Sequence, residues 1–303
     1  MKPAAGVAPE TAVLAPRSVA ELRAALGQAG ARSRLLAGGT DLVRSMRWDG
    51  LSPDLLIDLG DISELAGVRL EDGRVHVGAM TRFADLQADP VILRHAPCLA
   101  QAAASIGSVQ IRNIATIGGN VANASPCGDT IPALLALRAC VRVLRPDGSV
   151  AERPVHGVVT GYETTCLARD EAILGFVFEQ PGASCRSTFV KIGWRTSVAV
   201  ARLSMAVVVS YDPGSGMLSA PRIGLGALGE TAFRDGGLEA FLDGRRADAA
   251  TARLFAQECA AAVRRAISGR YSLPYKQAAA VGLADDAWRG LGFAAGRGRQ
   301  GDD

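Results

Sequence analysis

The 303-residue chain is long enough for two domains of ordinary size, and its 49% apolar, 21% charged and 5% aromatic residues match a globular protein. Its 33 basic and 30 acidic side chains leave a net charge of +3, too small a surplus for a nucleic-acid footprint, and aromatics for base stacking are few. No apolar run reaches the roughly 18–20 residues of a membrane span; the longest candidate, 198–211, is interrupted by Arg202 and reads as a strand.

In chain order, residues 1–14 hold Lys2 as their single basic residue and no continuous apolar stretch, so no secretory leader is expected and the cytoplasm is the expected location. A short strand at 12–15 precedes a helix over 18–28, where Ser18 and Glu21 have the spacing of a capping box. A second strand at 34–37 breaks at Gly38-Gly39, a helix follows over 40–47, and a third strand lies at 55–59. This β-α-β-α-β order predicts a small parallel sheet. The period then changes. Strands at 68–70 and 74–78 flank the turn Glu71-Asp72-Gly73, an antiparallel hairpin signal. Helices are expected at 82–88, 98–105 and 130–137, and two strands bracket Pro146-Asp147-Gly148.

Residues 176–183 read as the lead into a different unit. It combines antiparallel strands at 187–194, 198–211 and 222–227 with Ala-rich helices at 231–242 and 248–267. The tail, with Gly296-Arg297-Gly298-Arg299 and Asp302-Asp303, is expected to be disordered. The six cysteines and three histidines show no C-x-x-C or comparable spacing, so the chain is expected to hold no metal of its own and to keep reduced thiols.

Two glycine-rich segments carry the chemistry. Ala37-Gly38-Gly39-Thr40-Asp41-Leu42 sits between a strand and a helix. Glycine there admits positive φ and removes a Cβ that would hold a ligand off. The amides opening the helix are unpaired and suited to an anion. Alone, such a turn is as well explained as a plain strand–helix corner. The second segment, 116–126, combines Gly118-Gly119 with Thr116, Asn120, Asn123 and Ser125, all able to bond phosphate or hydroxyl groups. Asp129, at the start of the 130–137 helix, is either its N-cap or the partner of a ligand hydroxyl. Gly224-Leu225-Gly226-Ala227-Leu228-Gly229 spells a nicotinamide fingerprint, but antiparallel strands precede it and no β-α-β unit encloses it.

The stretches 35–43 (LLAGGTDLV), 106–137 (IGSVQIRNIATIGGNVANASPCGDTIPALLAL), 161–173 (GYETTCLARDEAI) and 189–207 (FVKIGWRTSVAVARLSMAV) fall in order. Over about 10–270 the chain resembles the FAD-binding medium subunits of the xanthine dehydrogenase and carbon monoxide dehydrogenase family of molybdenum hydroxylases. The resemblance implies an α+β, two-subdomain FAD-binding fold of the vanillyl-alcohol-oxidase/PCMH type. A C-terminal α/β domain with a three-stranded antiparallel sheet and helices would follow it. The corresponding bounds are 1–180, with subdomains of about 1–60 and 61–180, then 181–290, then a tail at 291–303.

By the same resemblance, FAD is held non-covalently by Ala37, Gly38, Gly39, Thr40, Asp41 and Leu42 on one side. Thr116, Ile117, Gly118, Gly119, Asn120, Ser125 and Asp129 form the other. Tyr162 and Lys191 match positions near the flavin, although Tyr162 also reads as core and Lys191 as an exposed strand charge; Arg195 matches less firmly. No catalytic residue is assigned. The molybdenum cofactor and 2Fe-2S clusters are expected in a large and a small partner subunit, with NAD+, oxygen or another carrier as acceptor. The rival functions are a stand-alone FAD reductase or oxidase, and a scaffold that has lost FAD; the intact glycine segments speak against the second. The segment from Pro274 departs from the basic helical ending expected of the family.

Overall fold

The computed structural model describes residues 11–195 and 198–294. Strands β1 (Ala12–Leu14), β2 (Ser33–Leu36) and β3 (Leu55–Asp58) form a parallel sheet in the order β1-β3-β2, with α1 (Val19–Leu26) and α2 (Leu42–Trp48) as crossovers. Ser18 caps α1 by accepting the Glu21 amide at 3.1 Å, while the Glu21 carboxylate takes the Arg17 amide at 2.8 Å. Leu22, Leu26 and Ile57 are wholly buried in a small core that also takes in Leu144, Ala172 and Leu174 of the next sheet.

That sheet is five-stranded and antiparallel, in the order β4-β5-β10-β6-β7, built from β4 (Val68–Glu71), β5 (Arg74–Gly78), β6 (Cys140–Leu144), β7 (Val150–Pro154) and β10 (Ala172–Glu179). Five helices lie between β5 and the second glycine segment's end: α3 (Phe83–Leu86), α4 (Pro90–His95), α5 (Pro97–Ala104), α6 (Val109–Arg112) and α7 (Ile117–Asn123). They are followed by α8 (Thr130–Ala136), and α9 (Val155–Val158) leads into a small hairpin of β8 (Val159–Gly161) and β9 (Thr164–Thr165). Residues 176–179, expected to lead out of this unit, instead complete its central strand. A bulge between Ile173 and Gly175 switches the parity of β10. Ala172 and Leu174 therefore face the first core, and Phe176 and Phe178 the second.

The C-terminal sheet comprises β11 (Cys185–Ile192), β12 (Leu203–Asp212), β13 (Met217–Gly226) and β14 (Phe233–Arg234), all antiparallel. It has four strands where three were expected, because 231–235 is not helical: β14 pairs with Gly224 and Leu225, and α10 starts only at Gly236 (Gly236–Leu242). Helices α11 (Ala249–Ala266) and α12 (Leu273–Gly290) cover one face around Phe255 and Trp288. Helix α12 was not anticipated. Pro274 opens it, in the first turn, where proline removes no needed hydrogen bond. Leu291 and Phe293, expected to begin the tail, are buried, with Phe293 edge-on to Tyr211 at 5.0 Å. The remainder of that expectation, 295–303, lies outside the described residues, as do residues 1–10. Among the described residues no helix is long and apolar enough to cross a membrane.

The two halves share one core. Phe189, Ala206, Val208 and Ala232 join the cluster that contains Leu99, Ile117, Ile131 and Phe176. Helix α8 is buried at every position and packs on β12 and β13. The Gly-x-Gly of the fingerprint-like motif serves this contact. A Cβ on Gly224 would lie 2.2 Å from the Pro132 carbonyl oxygen, and one on Gly226 would lie 2.8 Å from the Pro132 ring. The motif is a packing groove for a helix of the other half, on an antiparallel strand.

Candidate functional site

Both glycine segments end up in one wall. Gly38 closes the turn after β2 against Ile114, whose carbonyl oxygen would stand 2.0 Å from any Cβ there, and Gly39 takes φ +72°. The Gly39 carbonyl accepts the Val43 amide at 3.0 Å. The N–H groups of Gly39, Thr40, Asp41 and Leu42 have no acceptor among the described residues. These are the free donors an anionic ligand requires.

The second segment is folded differently from the open loop that its composition suggests. Thr116 caps α7 by accepting the Gly119 amide at 3.1 Å. Ile117 donates to the Thr81 carbonyl at 3.1 Å, Gly118 to the Ala79 carbonyl at 2.8 Å and Asn120 to the Thr116 carbonyl at 3.0 Å. Its opening amides are thus engaged by protein. Gly118 faces Ala79, and Ile117 is wholly buried. Gly119 faces Ala37, with 3.8 Å between a Cβ there and that of Ala37.

A cavity of about 640 Å³ opens between these elements, within the roughly 300–1,000 Å³ of cofactor sites. Ala37, Gly38, Gly39, Thr40, Asp41, Leu42, Thr116, Gly119, Asn120, Ser125, Asp129 and Lys191 all line it. Three expected residues do not. Ile117 and Gly118 form the packing behind the wall, and Tyr162 stands 62% exposed away from it. Arg195 turns back to donate to the Val198 carbonyl at 2.8 and 3.0 Å.

Of the two roles open to Asp129 in sequence, the helix cap is not the one it takes. Its side chain makes no cap bond to α8. Oδ2 accepts from Lys191 Nζ at 2.5 Å and from Ser105 Oγ at 3.2 Å, and Lys191 also donates to the Ser105 carbonyl at 3.1 Å. The pair is buried, with side-chain exposures of 12% for Lys191 and 5% for Asp129. Burial pushes the Asp129 carboxyl up from 3.8 to about 6, although Lys191 and Ser105 oppose the change. Asp129 Oδ1 is buried without a partner. An orphaned acceptor beside a buried ammonium suits a ligand bearing N–H or O–H groups.

Some lining residues were not anticipated. Arg34 and Arg169 both face the cavity; burial lowers the Arg34 pKa, and the Arg169 charge lowers it further. Glu171 accepts from Arg153 at 2.5 and 2.9 Å and from the Ala168 amide at 3.1 Å, and these bonds hold its carboxyl below the usual range. Ser105, the partner of Asp129 from 24 residues away, gives no local signal in sequence, and Ala199 and Val200 reach the cavity from the connection between β11 and β12. The residues present fit FAD: Cβ-free backbone and free amides for a pyrophosphate, and a donor–acceptor wall for a polar ring or sugar.

Comparison with known proteins gives matches along most of the chain. The family model for the FAD binding domain in molybdopterin dehydrogenase matches residues 9–178, and that for the CO dehydrogenase flavoprotein C-terminal domain matches 188–291. The chain is 32% identical over 204 residues to the nicotinate dehydrogenase FAD-subunit of Eubacterium barkeri, covering 65% of this chain and 68% of the relative. It is 32% identical over 205 residues to the xanthine dehydrogenase FAD-binding subunit of Escherichia coli O157:H7, covering 67% and 69%. Among solved structures, a chain of carbon monoxide dehydrogenase from Hydrogenophaga pseudoflava superposes with a TM-score of 0.84 at 32% identity, covering 94% of this chain and 98% of that one.

Proposed function

The chain belongs to the family of FAD-binding subunits of molybdopterin-dependent dehydrogenases, and from that premise we propose that it is the electron outlet of such a complex. In this reading FAD lies in the cavity between α2 and α7. A small subunit carrying iron–sulfur clusters delivers electrons to it, and a large subunit carrying the molybdenum cofactor oxidises the substrate. NAD+, oxygen or another carrier removes the electrons. The observation that carries the proposal is the single cavity that joins the free amides of Gly39–Leu42 to the Asp129–Lys191 pair.

Bound FAD supplies redox chemistry that no side chain has, taking up and releasing electrons. The residues of this chain bind, orient and tune. The amides of Gly39, Thr40, Asp41 and Leu42 receive the pyrophosphate. Gly119 leaves room against Ala37 for the ligand to come close to α7. Lys191 places a buried positive charge on the wall, which favours negative charge on a neighbouring ring. Asp129 holds the ammonium in place and offers Oδ1 to a ligand donor. Cys127 lines the cavity, yet burial first and the Asp129 charge second raise its thiol pKa, so it stays protonated and a poor nucleophile. This supports non-covalent attachment. The reading places the complex in the cytoplasm, where buried thiols such as Cys98 and Cys259 remain reduced.

The test is to isolate the chain with its native partners, record the absorption spectrum and analyse for metals. The expected result is one FAD per chain, released by denaturation, together with molybdenum and iron in the complex. A folded chain without flavin, in an assembly free of both metals, would sink the proposal.

A further inference from the structure

The Ser125–Asp129 stretch of the cavity wall is held from behind by the C-terminal half. The Ala227 amide donates to the Pro126 carbonyl at 3.0 Å. Ala227 takes φ +61°, a strained value for a residue with a Cβ, so its position needs to be fixed from more than one side. Its carbonyl accepts Lys276 Nζ at 2.5 Å. Lys276 lies in the first turn of α12, within the segment from Pro274 that departs from the expected family ending. Both backbone groups of one residue are therefore held, the N–H by Pro126 on the cavity side and the carbonyl by Lys276 on the other.

The charge of Lys276 also acts forward. Burial and the Asp129 charge raise the pKa of the Cys127 thiol in the cavity lining, and Lys276 leads the charges that oppose that rise, ahead of Lys191 and Arg202. Lys276 is partly buried and is itself held below its usual pKa by that burial, with Arg202 and Arg270 adding to the effect. A partly buried ammonium is retained here at a cost.

We propose that Lys276 is a positioning residue of the flavin site. Through Ala227 and Pro126 it fixes how the Ser125–Asp129 stretch meets FAD, and from behind that wall it adds positive charge to the field at the flavin. The proposal rests on the reading that FAD occupies the cavity.

The test uses the full chain with FAD and two variants. Lys276→Met removes the hydrogen bond and the charge, whereas Lys276→Gln removes the charge and keeps an N–H donor for the Ala227 carbonyl. FAD affinity is measured by fluorescence titration, the flavin midpoint potential by dye equilibration, and the melting of the FAD-free chain beside them. Losing a charged hydrogen bond predicts about tenfold weaker FAD binding in the Met variant, with much of the affinity restored in the Gln variant. The midpoint potential falls in both, because reduced flavin loses a nearby cation. Lowered melting with unchanged affinity and potential would show a merely structural role and overturn the proposal. If the Met variant does not fold, an unchanged potential in the Gln variant overturns it equally. Wild-type protein that binds no FAD would remove the functional reading as well, whereas wild type and both variants behaving alike with FAD would remove this inference only.

Discussion

Gly118 and Gly119 are neighbours in sequence with opposite surroundings, and alanine at each separates folding from binding. At Gly118 the new methyl would lie 2.7 Å from the Ala79 carbonyl oxygen and 2.8 Å from the Ala79 Cβ. The same carbonyl already accepts the Gly118 amide at 2.8 Å, so relieving the clash pulls that bond apart. Overpacking of this kind costs about 1–3 kcal/mol, and the better helix propensity of alanine returns about 0.5–1 kcal/mol. The two together give a net loss of about 0–2.5 kcal/mol, centred a little above 1. At Gly119 the nearest atoms are Thr116 Oγ1 at 3.1 Å, the end of a side chain that can rotate, and the Ala37 Cβ at 3.8 Å. The stability of Gly119→Ala should therefore stay within about 1 kcal/mol of wild type, with a weakened Thr116 cap offset by helix propensity. Its methyl, however, stands on the cavity wall, and FAD affinity should drop at least about tenfold, or about 1.4 kcal/mol. Thermal melting of the FAD-free chain and fluorescence titration with FAD measure the two effects. Wild-type FAD affinity in Gly119→Ala, or a loss of stability matching that of Gly118→Ala, would refute the reasoning.

The raised Asp129 carboxyl makes the FAD-free protein pH-sensitive. Between about 4 and about 6 the folded state holds a proton that the unfolded chain has released, so stability from this group is greatest below that window and falls as pH rises through it. The displacement amounts to roughly 3 kcal/mol, and Asp129→Asn should flatten that part of a urea-denaturation series against pH. Gly224→Ala, whose methyl would meet the Pro132 carbonyl oxygen at 2.2 Å, should lower the melting temperature. Saturable NADH binding lost with that substitution would contradict the packing role of the motif. Tyr162→Ala should leave FAD affinity within twofold of wild type, since the ring is exposed outside the cavity; a larger loss by titration would return the residue to the site.

Local signals in the sequence located much of this. The parallel β-α-β-α-β start is legible because each strand is short, α1 carries an apolar face with Leu22 and Leu26, and Gly38-Gly39 marks a turn. Helix α12 was illegible because Pro274, Gly282, Asp285 and Asp286 interrupt its pattern, and its buried face shows only once Phe255 lies opposite Trp288. The site divides in the same way. Glycine pairs announce close approach, but whether the approach is to ligand or to protein depends on distant partners: Ala79 for Gly118, Ala37 for Gly119. Asp129 could be read as a cap or a ligand contact from its neighbours alone. Its ion pair with Lys191 spans 62 residues and exists only after β11 has packed against α5.

That packing has a consequence for how the protein comes apart. Gln101 of α5 accepts from the Thr188 hydroxyl at 3.1 Å and from the Phe189 amide at 2.6 Å, along the same seam that buries α8. A fragment ending near residue 180 would turn the undersides of α5 and α8 into wet apolar surface and leave Asp129 without its counter-ion. Two stretches that match separate family models are thus expected to melt in one transition, and hydrogen exchange in α8 should report the opening of the whole molecule rather than of either half.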